Sequence, residues 1–277
     1  MALENKVALV TGGGRGVGAA TAKLLAARGA RVAVNYLSNA QAAEGVVTEI
    51  QAASGKAYAI QADVRDAQQV ARLVASVIDT YGRLDILVSN AAMRSRFAPF
   101  EQMAWEEFKQ RVNDELQAAF QVTQAVLPVM TRQQYGRLVY VGSEHAKGPA
   151  LPGSIAHGTA KAALVTFVKY LAYELGPRGI TANVVSPGGV QTEASAAFLP
   201  TAFTQRMAAA IPLGRAARPE DIAGVIAFFA DDDSGFMTGT CAPVTGGLGL
   251  ARGGFAASMQ GWPPVERAKD HERGTTS

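Results

Sequence analysis

Short β-branched apolar runs alternate along the chain with longer Ala-rich stretches in which apolar residues recur at three- and four-residue intervals. The short runs are residues 6–10 (KVALV), 31–36 (RVAVNY), 57–62 (AYAIQA), 84–89 (LDILVS), 137–143 (RLVYVGS), 180–186 (ITANVVS) and 241–245 (CAPVT). Each predicts a strand. Between them, 17–28, 40–53, 67–81, 103–131 and 156–176 predict helices. Several strands are apolar at nearly every position, as happens when both faces of a parallel sheet are covered. The alternation predicts an α/β fold, a doubly wound parallel seven-stranded sheet with helices on both faces.

The pattern fades near residue 250, so residues 1–250 are expected to form one domain. In 251–277 Gly, Pro and charged residues follow no period, which predicts a mobile tail with Trp262 as its one candidate docking contact. A hydrophobic fraction of 48% with 18% charged residues is that of a packed globular chain. The net charge of +3 is small, and its Lys and Arg residues are dispersed. That argues against a nucleic-acid partner. No apolar run reaches membrane-spanning length, and MALENKVALV has no basic region leading into an apolar one, so a soluble, cytoplasmic chain without membrane attachment is expected. The lone Cys241 excludes an internal disulfide and a thiolate metal site; it is expected to be buried, and no metal is expected.

The first strand runs into TGGGRGVG, residues 11–18, at the start of a helix. Glycines there let backbone approach a pyrophosphate, and a helix N-terminus presents free N–H groups to it. This spacing resembles the short-chain dehydrogenase/reductase family. Further motifs agree in order: Asp63 in ADV, Ser89-Asn90-Ala91-Ala92, Ser143, NVVSPGGVQT from Asn183, PLGR (212–215), RPEDIA (218–223) and the TGT and VTGG of 238–247. The resemblance covers roughly residues 4–250 and implies a Rossmann fold binding a nicotinamide dinucleotide. It places Gly12, Arg15, Gly16, Val17 and Gly18 at the phosphates, Tyr36 and Ser38 near the adenosine ribose, and Asp63 and Val64 at the adenine. Asn90 and Ala91 fall beside the central sheet, and Lys161, Pro187, Gly188, Val190 and Thr192 at the nicotinamide end. Asp63 has a second reading as a helix cap, and Pro187 as a strand terminator. No carboxylate follows the second strand, which ends Asn35-Tyr36-Leu37-Ser38, while Arg15, Ser38 and Asn39 offer donors to a 2′-phosphate. NADP(H) is therefore the expected cofactor.

The family's active site pairs a serine with a Tyr four residues before a Lys. Here Ser143 and Lys161 are present, but the tyrosine position is His157. The family's asparagine on the long helix is replaced by Glu115, if Phe108 and Phe120 set the register. Asn113 lies about 200° around the helix from that position. A Glu115 carboxylate near Lys161 would keep His157 partly protonated, and an imidazolium is a competent acid near neutrality. Ser143-Glu144-His145 offers a rival relay through His145, with a solvated loop as its plainer reading.

The apolar segment 193–211 (EASAAFLPTAFTQRMAAAI) occupies the place of the family's substrate lid and predicts a largely apolar substrate. The pattern is most similar to 3-oxoacyl-carrier-protein and polyketide ketoreductases. That resemblance implies a small-molecule or carrier-protein-bound substrate, with Arg132 and Arg178 as candidates to meet an acidic carrier. It also implies a homotetramer or homodimer assembled through helices 103–131 and 156–176. The sequence thus predicts an NADPH-dependent ketoreductase using Ser143, His157, Lys161 and Glu115. Two alternatives remain open: a catalytically weak dinucleotide-binding subunit, left by drift at 157, and a dehydratase or isomerase using Glu115 or His157 as a base.

Overall fold

In the computed structural model, the described residues are 3–93, 96–148, 153–192 and 208–250. The predicted tail, Trp262 and most of the lid segment lie outside them. Seven strands, β1 (Val7–Val10), β2 (Arg31–Tyr36), β3 (Lys56–Gln61), β4 (Ile86–Ser89), β5 (Gly136–Val141), β6 (Ile180–Pro187) and β7 (Cys241–Val244), form one sheet in the order β3-β2-β1-β4-β5-β6-β7. Every neighbouring pair is parallel. The helices are α1 (Gly16–Ala27), α2 (Ala40–Ala52), α3 (Ala67–Tyr81), α4 (Trp105–Gln133), α5 (Ile155–Leu175) and α6 (Pro219–Phe229).

Successive strand residues point to opposite faces, and both faces are dry. Val7, Leu9, Leu87, Leu138, Tyr140 and Val184 pack beneath α3, α4 and α5. Ala8, Val10, Val32, Val34, Val88, Val139 and Val185 pack against α1, α2 and α6. The continuous apolar character of the strands follows from this double cover.

The limits of the elements differ from expectation where local chemistry intervenes. Leu84 and Asp85 precede β4, although the Asp85 main chain still donates to Val7 O at 2.9 Å and accepts the Arg137 N–H at 2.8 Å; its carboxylate accepts the Val7 N–H at 2.8 Å and an Arg83 pair. Helix α6 was not predicted as an element, although its RPED start is a strong one: Pro219 opens the first turn and the Asp221 carboxylate accepts the Arg218 N–H at 2.7 Å. Cys241 is half-buried rather than buried, because β7 is an edge strand. Among the described residues no helix is long and apolar enough to cross a membrane.

The order of strands reverses direction between β1 and β4, which opens a crevice at their C-terminal ends. Polar side chains tie this point together. Thr11 Oγ1 accepts the N–H groups of Asn90 (2.9 Å) and Ala91 (3.0 Å), while Asn90 Nδ2 donates to the carbonyls of Thr11 (3.0 Å) and Gly12 (3.1 Å). We expect Asn90→Ala to lower stability by about 1–3 kcal/mol, since two carbonyls lose their donor. Urea unfolding with an unchanged m-value checks this; an unaltered midpoint would contradict it.

Candidate active site

The phosphate loop leaves β1 at the crevice. Gly12 has φ +61°, a conformation that favours glycine. A Cβ at Gly18 would overlap the Gly12 carbonyl oxygen and Asn90 Nδ2, so the last glycine of the loop lets α1 pack onto it. Buried Asn35 braces the loop: its main-chain carbonyl accepts the Gly13 N–H at 2.8 Å, while its side-chain Nδ2 donates to Ala62 O at 3.1 Å. Arg15, the residue before α1, lends no side-chain cap, so the first N–H groups of the helix, at Gly16, Val17 and Gly18, open toward the crevice. These features fit a pyrophosphate.

The other dinucleotide candidates ring the same edge. Thr192 lies against Gly16, Val190 bridges to Ala217, and Gly188 follows Pro187 and donates to Val244 O at 3.1 Å. Pro187 is also the last residue of β6, so its strand-ending role is met alongside its place at the crevice. Arg15 and Ser38 are exposed, and Tyr36 packs partly against the core. Asn39 Oδ1 accepts the Ala42 N–H at 3.0 Å and so caps α2, which leaves only its amide N–H groups for a phosphate. Val64 is buried, so only its backbone can face an adenine.

Asp63 is not a helix cap; Asp66 caps α3 instead. Both Asp63 oxygens receive Arg65, at 3.0 Å (Nε to Oδ1) and 2.7 Å (Nη2 to Oδ2), and Arg65 Nη1 reaches Asp114 at 3.0 Å. The Arg65 side chain holds the Asp63 carboxyl below its ordinary pKa. The sequence reading missed Arg65, although its place two residues after Asp63 was visible.

Four buried or half-buried groups meet at the ends of β5 and α5. Lys161 Nζ donates to Val141 O at 2.7 Å and to Glu115 Oε1 at 2.8 Å. Arg111, one turn before Glu115 on α4, donates from Nη1 to Glu115 Oε2 at 2.7 Å and from Nη2 to His157 Nδ1 at 3.0 Å. Arg111, Glu115 and Lys161 are only 4%, 6% and 7% exposed, so this pairing is shielded from water. Although burial opposes it, the Lys161 and Arg111 charges hold the Glu115 carboxyl below its ordinary pKa. Asn113 is exposed on another face of α4, in accord with the predicted register, but Phe120 is half-exposed and does not anchor it.

Ser143 caps the short turn Glu144–Ala146, accepting the His145 N–H at 3.3 Å, and its Oγ lies 3.1 Å from His145 Nδ1. Gly158 on α5 lets this turn approach, because a Cβ there would stand 3.0 Å from His145 O. The His145 and His157 rings then meet edge to face, with centroids 5.1 Å apart. His145 is therefore part of the cluster rather than a solvated loop residue.

The expected imidazolium at 157 is a correction. Burial, then the charges of Lys161, Arg111 and His145, push the His157 pKa down to about 3, and Glu115 only partly offsets them. The missed residue is Arg111. Its i, i+4 spacing to Glu115 was readable, but such pairs usually lie in solvent. Arg132 and Arg178 stand where α4 and α5 lead into β5 and β6, at the opposite end of the strands from Ser143 of the same chain.

Fold and crevice define a Rossmann protein whose glycine loop suits a dinucleotide. A profile described as Enoyl-(Acyl carrier protein) reductase matches residues 12–249. The chain is 40% identical over 248 residues to an uncharacterized oxidoreductase of Methylorubrum extorquens, covering 89% of this chain and 98% of that protein. It is 38% identical over 253 residues to a 3-oxoacyl-[acyl-carrier-protein] reductase of Synechocystis sp., with coverage of 89% and 98%. A short-chain dehydrogenase/reductase from Serratia marcescens superposes with a TM-score of 0.82 at 34% identity, over 90% of this chain and 99% of that one. The chain belongs to the short-chain dehydrogenase/reductase family.

A histidine that stays neutral in the fold but protonates below pH 6.5 when unfolded makes stability fall as pH drops from about 6.5 to about 3. This group contributes up to about 1.4 kcal/mol per pH unit across that window. His157→Gln should flatten the slope in denaturant titrations. Equal slopes for variant and wild type would mean that His157 is not held neutral.

Proposed function

We propose that the protein is an NADPH-dependent ketoreductase acting on a largely apolar carbonyl substrate, of the free or carrier-protein-bound 3-oxoacyl or polyketide type. The observation that carries this reading is the meeting of Ser143, His157 and Lys161 beside an uncapped phosphate loop, through the contacts of Arg111, Glu115 and His145. When bound, the cofactor supplies a hydride to the carbonyl carbon. Gly16, Val17 and Gly18 present N–H groups to its pyrophosphate. Arg15 and Ser38, with no carboxylate beside Tyr36, favour a 2′-phosphate. Lys161 keeps one of its three donors for the ribose, since Val141 and Glu115 take two.

Ser143 polarises the carbonyl oxygen, and His157 is the proton donor. Relatives named as 3-oxoacyl-[acyl-carrier-protein] reductases support the substrate class. The apolar segment 193–211 supports it as well, although 193–207 lies outside the described residues. For a carrier, Arg96 and Lys147, paired with Glu107 and Glu144, are among the basic side chains that follow β4 and β5 on the site's side of the sheet. Assembly through α4 and α5 is supported by exposed Phe120, Tyr170 and Tyr173 on those helices.

In fluorescence titrations NADPH should bind more tightly than NADH, and Arg15→Ala should weaken NADPH roughly tenfold with a smaller effect on NADH. Equal affinities would refute the cofactor assignment. His157→Phe should remove most reduction of an activated ketone and leave NADPH affinity near the wild-type value. Turnover unchanged by that substitution would move the chemistry to Ser143 and His145. NADPH binding by a wild type that reduces no ketone would favour the subunit reading instead.

A further inference from the structure

The cluster contains a contact that the family's serine, tyrosine and lysine arrangement does not include. The Arg111 guanidinium stands 3.0 Å from His157 Nδ1. A guanidinium can only donate, so Nδ1 accepts and the single ring proton resides on Nε2. Arg111 is itself fixed by Glu115 at 2.7 Å, and Glu115 by Lys161 at 2.8 Å, all out of reach of water. Arg111 Nε is buried without a partner among the described residues. The side chain is thus placed for its contact to His157 at the expense of one of its own hydrogen bonds.

The groups facing the ring are Lys161 on its own helix, Arg111 and Glu115 from α4, and His145 from the 144–146 turn; the Phe97 ring closes another side. Two cations against one carboxylate disfavour a third positive charge. We propose that Arg111 is a positioning residue that fixes His157 as its Nε2–H tautomer, so that the neutral ring delivers the proton in carbonyl reduction.

This deepens the ketoreductase reading and rests on it. As hydride reaches the carbonyl carbon, the carbonyl electron pair is left on oxygen. The His157 Nε2–H bond breaks and the O–H bond of the alcohol forms. The electron pair left on Nε2 gives the ring negative charge, which the Arg111 guanidinium at Nδ1 stabilises until water returns a proton to Nε2. A neutral imidazole is a weak acid, but an alkoxide is a strong base, and a neutral histidine can polarise a carbonyl from its N–H side. An arginine at Nδ1 both selects the useful tautomer and offsets the charge that develops.

The test is nitrogen-15 NMR of histidine-labelled full-length protein, in which three histidines give a readable spectrum and His157→Gln assigns the signal. Wild-type His157 should show an acceptor Nδ1 and a protonated Nε2, unchanged between about pH 8 and 5. Arg111→Met should mix the tautomers and raise the pKa of the ring. Its kcat at pH 8 should drop at least tenfold with KM little changed, and its rate should climb as pH falls, while the wild-type profile stays flat. Arg111→Lys should recover part of kcat and part of the tautomer preference. If Arg111→Met does not fold, the wild-type spectrum and the lysine variant decide the matter. A wild-type ring that is Nδ1–H or imidazolium at neutral pH overturns the inference, as does Arg111→Met with an unmixed Nε2–H ring and a flat profile. A wild type with the Nε2–H ring that reduces no ketone overturns the proton transfer together with the ketoreductase reading, whereas a reducing wild type with the Nδ1–H ring sinks the role of Arg111 alone.

Discussion

The candidate active site depends on one carboxylate. Glu115 lies between two cations in a volume closed to water, and each of its oxygens takes one of them. Removing it would leave Arg111 and Lys161 charged and unmatched in the interior, a far larger penalty than the loss of any exposed pair. Glu115 thereby sets the direction of both neighbours: Lys161 turns toward Val141 and the crevice, and Arg111 turns toward His157. The histidine answers to this pair rather than to its own helix. Read from α5 alone, His157 and Lys161 are two basic side chains one turn apart; read with α4, they belong to one circuit of alternating donors and acceptors.

The sheet was legible because its strands are buried on both faces, which leaves a nearly unbroken apolar signature with sharp limits. The residues of β2 and α3 match the expected ranges because Tyr36 gives way to polar loop and Asp66 and Gly82 cap the helix. Helix α6 was overlooked as an element for the opposite reason: its short segment was recognised as a motif, and its capping chemistry was not weighed. Of the site, Ser143, His157, Lys161 and Glu115 could be named because the chain resembles the family's motifs at those positions. The protonation state of His157 could not, since it is set by burial and by the charges of Lys161, Arg111 and His145, which converge from separate elements.

The dinucleotide crevice shows the same division. Its glycines are explained by local geometry, and their pattern was visible. The side chains that hold the loop in place, Asn35 through Oδ1 to the Gly12 N–H, Thr11 and Asn90, come from three different strand ends and bond to backbone groups. Such residues leave little trace in a linear pattern, because their partners are main-chain atoms without identity.

Asp114 and Glu115 are consecutive on α4 and diverge by about 100° around its axis. One receives Arg65, which grips Asp63; the other receives Lys161. The two far ends of the crevice are thus gauged from neighbouring positions on a single rigid rod. A slide of α4 by one residue would move both settings together, so the distance between them is a dimension built into the helix and not the sum of independently placed parts.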